Sequence, residues 1–322
     1  MWTLLVLRAR RAAPFQGRGT STKNYEPALS WVCAGYSSGS ARLYGGEMDN
    51  HQALGEYLRA RREQLAPEDV GIVGGGRRRV RGLRREEVAL LAGISADYYV
   101  RLEQGRNQTP SSQVLDALAA VLRLDVDSTA YLHALAGPQS STRRPARRIE
   151  RVPARTLQFL DALPMPAVIH DRRFTVLAAN RMGKTLSPNN SPGTNLLRAA
   201  FLDTTERQLH RDWNRVATDA VAGIRAASSA QFDDEVLVDL VRELSAESEV
   251  FRRLWARHDV HLRTGGTSLL DHPEVGHLDL HHEKLTIAGT DGQTLVVYHA
   301  EPGSPSAQAL QLLGNLAAAE QR

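Results

Sequence analysis

Two groupings of residues in this sequence have types and spacings that could do chemistry. The first is basic: Arg77, Arg78, Arg79, Arg81, Arg84 and Arg85 fall within nine residues, and Arg143, Arg144, Arg147 and Arg148 follow later. Crowded guanidinium groups attract polyanions, nucleic acid first among them, and the alternative is a solvated basic loop. The second is a set of potential metal ligands. His277, Asp279 and His281 alternate along one stretch, with His272, His282 and His299 close by in sequence. Imidazole with carboxylate suits several divalent metals. Leu278 and Leu280 occupy the positions between, however, so the stretch reads as a half-buried strand whose polar trio faces water, and no metal is expected there. No G-x-S-x-G, phosphate loop or H-E-x-x-H accompanies either grouping.

The charge is unevenly spread. Residues 1–47 carry 6 Lys and Arg against 2 Asp and Glu, residues 48–155 carry 18 against 13, and residues 156–322 carry 16 against 21. A basic front and an acidic back place the expected polyanion partner at the front. The 322 residues are enough for about two domains. The single Cys33 excludes an internal disulfide and a multi-cysteine zinc site. No stretch approaches the ~18 apolar residues of a spanning helix, and the apolar run in the opening MWTLLVLRARR is too short for a secretory signal. A cytoplasmic protein with no membrane partner is the expectation.

The elements that must position the arginines begin at Met48. Residues 1–47 lack periodicity and end in Gly45-Gly46-Glu47, which is what a translated ribosome-binding site looks like; they are expected to be either a disordered basic arm or an extension preceding the native start at Met48. From there Leu54, Leu58, Arg61 and Leu65 form the stripe of a first helix, ended by Pro67 and GIVGGG. Arg85 to Ala92 predicts a second helix with Val88, Leu91 and Ala92 inward, and Gly93 permits a tight turn. In GISADYYVRLEQGR, Ser95 is a good N-cap, Ile94 and Tyr99 can staple the entry, and Gly105 is a left-handed stop. At 100° per residue Tyr99 and Leu102 face inward, leaving Asp97, Val100, Arg101 and Gln104 outward, with Ala96 at the exposed N-terminal end. Two short helices joined at a glycine, the second presenting small and polar groups, make a helix-turn-helix whose second helix fits a major groove.

The run LRREEVALLAGISADYYVRLEQGR, followed by Pro110 and SSQVLDALAAVLRLD, resembles the phage-repressor-like helix-turn-helix of the xenobiotic response element family. That likeness covers Leu54 to about Ala136 and implies an all-α domain of five helices, the last two at residues 112–122 and 127–135. More narrowly, GGGRRRVRGLRREEVALLAGIS with YYVRLEQGR is similar to MmyB-like regulators common in actinobacteria. Carried over by position, the resemblance puts Arg85 and the Ser95 hydroxyl on phosphates, Ala96, Asp97 and Arg101 at base-reading positions, and Arg106 on the backbone. Arg77, Arg78 and Arg79 would add phosphate contacts. Arg101 can pair bidentately with guanine and Asp97 can accept from cytosine; alternatively, Asp97 only complements the helix dipole.

Residues 137–153 (GPQSSTRRPARRIERVP) mix Pro, Ser and Arg without periodicity and read as a linker. The second domain, 154–322, opens with a helix carrying Leu157, Leu160 and Leu163, then two strands, AVIHD and FTVLAAN, around a turn at 171–173. Three helical stripes follow: Leu209, Trp213, Val216, Ala220 and Ile224; Leu237, Leu240, Val241 and Leu244; and Val250, Phe251, Leu254 and Trp255. Strands are expected near 268–270, 275–280 and 295–299, and a last helix at 306–318. This order is that of an α+β, PAS-like sensor. LDALPMPAVIHDRRFTVLAAN, WARHDV, HPEVGHLDL and YHAEPGSPSAQALQLL resemble the ligand-binding domain of the same MmyB-like regulators. The resemblance implies a cavity for a long apolar effector, a fatty acyl chain. Trp213, Phe251 and Trp255 are the best wall for one, with plain core packing as the alternative, and Asn180, Arg181 or His258 adjoin the apolar segments as anchors for a head group; Asn180 is equally suited to cap a helix. The reading is a multidomain, non-enzymatic transcriptional regulator with no cofactor beyond a bound fatty acid effector, acting on double-stranded DNA as a homodimer. A C-terminal enzyme or a protein-interaction module tethered to DNA are its rivals.

Overall fold

The computed structural model describes residues 50–72, 82–106, 109–137, 151–229, 234–261 and 263–319. The N-terminal extension, Arg77, Arg78 and Arg79, and residues 138–150 of the linker lie outside them. The front of the described chain is helical throughout: α1 Asn50–Gln64, α2 Arg85–Leu91, α3 Ala96–Glu103, α4 Ser112–Val121 and α5 Val126–Ala136. Three of these helices start on a side-chain oxygen that accepts an otherwise orphaned backbone N–H: Ser95 from Tyr98, Ser111 from Val114 and Asp125 from Ser128. Gly93 turns the chain at φ 68° and Gly105 ends the third helix at φ 63°, as their positions predict. At Gly105 a Cβ would also come within 2.9 Å of the Gln52 Cα, so α3 leaves against α1 where only glycine fits.

Tyr57, Leu58, Leu83, Val88, Tyr99, Leu118 and Leu132 are fully buried between these helices. One inward assignment is corrected. Leu91 is 43% exposed, and Ala89 takes the buried place beside Val88. The small Ala lets the short α2 approach closely, and a leucine at that point of the arc would not fit.

The second part of the chain runs α6 Ala154–Ala162, β1 Ala167–His170, β2 Val176–Ala179, α7 Arg181–Leu186, α8 Leu196–Leu202, α9 Thr204–Leu209, α10 Trp213–Ser229, α11 Glu235–Glu247, α12 Glu249–Trp255, β3 Gly265–His272, β4 Gly276–Thr286, β5 Thr294–His299 and α13 Pro305–Ala319. The strands form one antiparallel sheet in the order β2-β1-β5-β4-β3. Its pleat separates two cores. One face puts Ala167, Ile169, Ala178 and Leu295 against Leu160 of α6. The other carries Val168, Val176 and Val296, and further along Leu270, Leu278 and Leu280 against Leu186, Leu209, Leu310 and Leu313.

The expected strands are present, and the first two of the late trio are longer, β3 running over Gly265–His272 and β4 reaching Thr286. Short helices α7, α8 and α9 carry too few turns to show a period. The stripe from Leu209 to Ile224 is not continuous: Leu209 ends α9, His210 bridges to Leu270 of β3, and α10 starts at Trp213. Within α10 the buried set is Trp213, Ala217, Val221, Ala222 and Ile224, because this helix packs on α5, α8 and α12 at once and needs a wider apolar arc than one stripe. None of the described helices is long and apolar enough to cross a membrane.

Candidate nucleic-acid interface and sensor site

The helix-turn-helix is held by a buried charge cluster that periodicity did not reveal. Glu103, on the inward side of α3, accepts from the Arg62 Nε at 2.5 Å and from the Arg85 Nε at 2.6 Å. Arg62 also donates to the Leu83 carbonyl at 2.9 Å. Burial works against the Arg62 charge, but the bond to Glu103 more than restores it and raises its pKa. The Tyr99 hydroxyl beside them is pushed well above the usual phenol range by burial and by the Glu103 charge. This cluster ties α1, α2 and α3 into one rigid unit. The signal was present as a charged residue on the wrong side of an amphipathic helix; Glu103 sits next to Leu102 at 100° spacing.

With Tyr99, Leu102 and Glu103 buried, Ser95, Asp97, Arg101, Gln104 and Arg106 are exposed along α3 and its end, and Ala96 and Val100 are partly so. Arg85 keeps 43% of its side chain exposed despite the ion pair, on the helix that precedes the turn. The sequence-derived residues that lie within the described chain are therefore at least partly open to solvent on α2, on α3 and at the end of α3. Their chemistry is hydrogen bonding by guanidinium, hydroxyl, carboxamide and carboxylate groups on a rigid rod.

In the second domain the aromatic candidates do come together. Trp213 and Phe201 meet edge-on at 6.0 Å, Phe201 and Phe251 at 5.1 Å, and Phe251 stacks on Trp255 at 5.7 Å. Trp213 donates to the Ala200 carbonyl at 2.9 Å, and Arg207 lies 4.3 Å over its ring. Phe251 is fully buried and Trp255 only partly.

The three anchor candidates are dispersed. Asn180 caps α7 by accepting from Gly183 at 2.8 Å, and its side chain also accepts from Ala167 N and donates to the carbonyls of Leu160, Leu163 and Met165. Its polar atoms are thus committed to the fold. Arg181 is exposed at the start of α7. His258 lies in the segment that follows α12, its backbone N–H 3.3 Å from the Trp255 carbonyl, at φ 55°.

That segment meets the helical domain. His258 lies 6.4 Å from the Tyr57 ring and bonds Arg225 at 3.2 Å. Gln64 donates to the Arg257 carbonyl at 2.6 Å, Arg61 pairs with Asp259 at 3.4 Å, and Ser128 donates to the Val260 carbonyl at 3.4 Å. Val260 itself is 3% exposed and belongs to the core of the helical domain. Arg225 of α10 donates to the Trp255 carbonyl, and its guanidinium lies 3.8 Å over the Trp255 ring. Burial, then the charges of Arg225 and Arg61, lower the His258 pKa to about 3. Periodicity could not find this junction, since 257–261 has none.

The histidine–aspartate stretch takes the exposed side of β4, with Leu278 and Leu280 fully buried on the other. His277 bonds Asp271 at 2.5 Å, Asp279 accepts from Arg211, and the His281 and His299 rings lie 5.4 Å apart. Among the described residues no group of three or more His, Cys, Asp or Glu is placed to hold a metal.

Comparison with known families fits this division. Residues 53–132 match the helix-turn-helix domain family, and residues 152–313 match the MmyB-like transcription regulator ligand binding domain. No curated protein matches the chain. A DNA-binding head joined to a ligand-binding domain is the composition of a ligand-sensing regulator, and with the second match spanning half its length the chain belongs to the MmyB-like transcription regulators.

Proposed function

We propose that this regulator binds DNA as a homodimer through α3, and that its sensor is PAS-like and takes a long acyl chain whose presence shifts the population of DNA-competent states. The sheet order β2-β1-β5-β4-β3 with helices inserted between β2 and β3 supports the sensor assignment. The observation that carries the reading is the segment 257–261, which belongs to the sensor in sequence and completes the core of the DNA-binding head through Val260. Trp255, at one end of the aromatic cluster, reaches that segment through Arg225 and His258. A ligand against the aromatic cluster thus has a short packed route to α1 and α5.

On the head, Arg101, Asp97 and Ala96 are the base readers of this reading, while Arg85, Ser95 and Arg106, with Arg77, Arg78 and Arg79, hold phosphates. Two heads on half-sites about one helical turn, ~34 Å, apart supply the affinity that one small module lacks. Arg101→Ala should weaken binding to a duplex selected by the wild-type protein by roughly 5- to 150-fold, the equivalent of about 1–3 kcal/mol. Its exposed position means that stability should stay within about 0.5 kcal/mol. Unchanged affinity in a gel-shift titration would remove Arg101 from the reading surface.

The coupling is tested by the double variant Asp259→Asn with Val260→Ala, which removes the ion pair to Arg61 and most of the apolar plug. Tetradecanoate should then bind as before, while the change it causes in duplex affinity should shrink at least about fivefold, since a ligand shifts an equilibrium only through its differential contacts. A full wild-type response in the double variant would sink the junction as the route.

A further inference from the structure

Two residues that break local rules face each other beside the aromatic cluster. The first is Phe174, in the turn between β1 and β2, whose backbone is left-handed at φ 63°. The Phe174 N–H closes that turn by donating to the Asp171 carbonyl at 3.0 Å, a place where glycine is the usual residue and a bulky one is strained. The surrounding backbone is pinned. Asp171 accepts from the N–H groups of Arg173 at 2.9 Å and Thr175 at 2.8 Å, the Phe174 carbonyl accepts from Leu196 at 2.8 Å, and Arg173 pairs at 2.8 Å with Asp234, the cap of α11. The ring is thereby held against the core that contains Leu197, Val221, Ile224, Leu240 and Phe251, and stacks on His170 at 5.3 Å. The second residue is Gly223, inside α10, where alanine would make the better helix. Its neighbours Ala222 and Ile224 are fully buried, yet Gly223 is partly open to solvent. Among the described residues outside its own helix, a methyl group at Gly223 would meet one atom within 4 Å, the ring Cζ of Phe174 at 3.8 Å. Packing alone therefore does not require the glycine, which keeps a space about one methyl group wide beside the ring. Departures from local preference that oppose each other in this way concentrate at ligand sites.

We infer that Phe174 and Gly223 are specificity-determining residues of the sensor: they form the narrow point of its apolar site and set the cross-section of the ligand. An unbranched chain lies between the ring and α10, and a chain with a bulky tail is refused. This rests on the acyl-chain reading of the sensor and adds to it the residues that choose among apolar molecules. The strained turn has a use in this arrangement, since only the left-handed backbone at Phe174 aims a ring from the sheet edge onto the open turn of α10.

The test is calorimetric titration of tetradecanoate and of ω-phenyldodecanoate, which carries a ring at its tail, into the full chain as wild type, Phe174→Gly and Gly223→Ala. The wild type should bind tetradecanoate about tenfold or more tightly than the phenyl-tailed acid. Phe174→Gly suits the left-handed backbone and frees the space of one ring, so it should accept the phenyl tail and lose the preference. Gly223→Ala fills the gap with one methyl group and should weaken tetradecanoate by about tenfold. Its urea midpoint should stay level or rise, alanine being the better helix former, a combination that a merely structural glycine would not give. That variant also keeps the inference testable where Phe174→Gly fails to fold. If Gly223→Ala binds tetradecanoate as the wild type does, or folded Phe174→Gly keeps the wild-type preference, the narrow point is not here and the inference is overturned with the acyl-chain reading intact. If neither acid binds the wild type, the acyl-chain reading itself falls and takes this inference with it.

Discussion

Glu103→Gln is expected to destabilise the helical domain by about 3–5 kcal/mol, the cost of removing one partner from a buried ion pair. Glu103 has 1% of its side chain exposed and balances both Arg62, at 7%, and Arg85. A neutral amide keeps the shape but can no longer offset the Arg62 charge, and its NH2 group would point a donor at donors. Since α1, α2 and α3 meet at this carboxylate, the loss should appear as a lower urea midpoint for the head and a matching loss of DNA binding. Tetradecanoate binding by the sensor should be much less affected. Exposed acidic residues on α2 give the contrast: Glu86→Gln should change stability by less than about 0.5 kcal/mol. Equal effects of the two substitutions would show that the cluster is not what holds the turn.

Acid should loosen the junction between head and sensor, on the order of 5 kcal/mol in total from His258 alone, at 1.36 kcal/mol per unit of pKa difference. Its folded pKa is depressed from 6.5 to about 3, first by burial and then by Arg225 and Arg61. The unfolded chain therefore takes up a proton below pH 6.5 that the folded chain refuses. The His258 contribution is fully present above about pH 6.5, falls as the pH is lowered, and is exhausted near pH 3. His258→Asn, whose side chain tolerates the left-handed backbone at φ 55°, removes the titration without forcing the turn. Chemical denaturation of both proteins from pH 7 to pH 4.5 should show the wild type losing stability faster, by up to about 1.4 kcal/mol per pH unit. The charges of Arg61, Arg225 and Asp259 remain in both proteins and cancel in the comparison. Parallel curves would mean that His258 is not held neutral by the junction.

The sequence by itself determined the local parts of this protein. The N-cap at Ser95, the glycines at 93 and 105, and the outward arc Asp97, Arg101 and Gln104 follow from φ requirements and a 100° repeat, which neighbours in the chain are enough to set. The motifs around them carried the resemblance to the family, and the start of β4 was legible because the alternation around Leu278 and Leu280 is likewise local. What only the tertiary structure decided are the contacts between residues far apart in sequence. Glu103 finds Arg62 41 residues away, and Gln64 finds Arg257 across 193. Asn180 was legible as a cap, but its three carbonyl partners were not. His258 was legible only as a residue adjoining an apolar segment; its contacts with Tyr57 and Arg225 were not. Burial, which sets the strength of a charge such as that of Glu103, is a property of the converged fold and not of the chain.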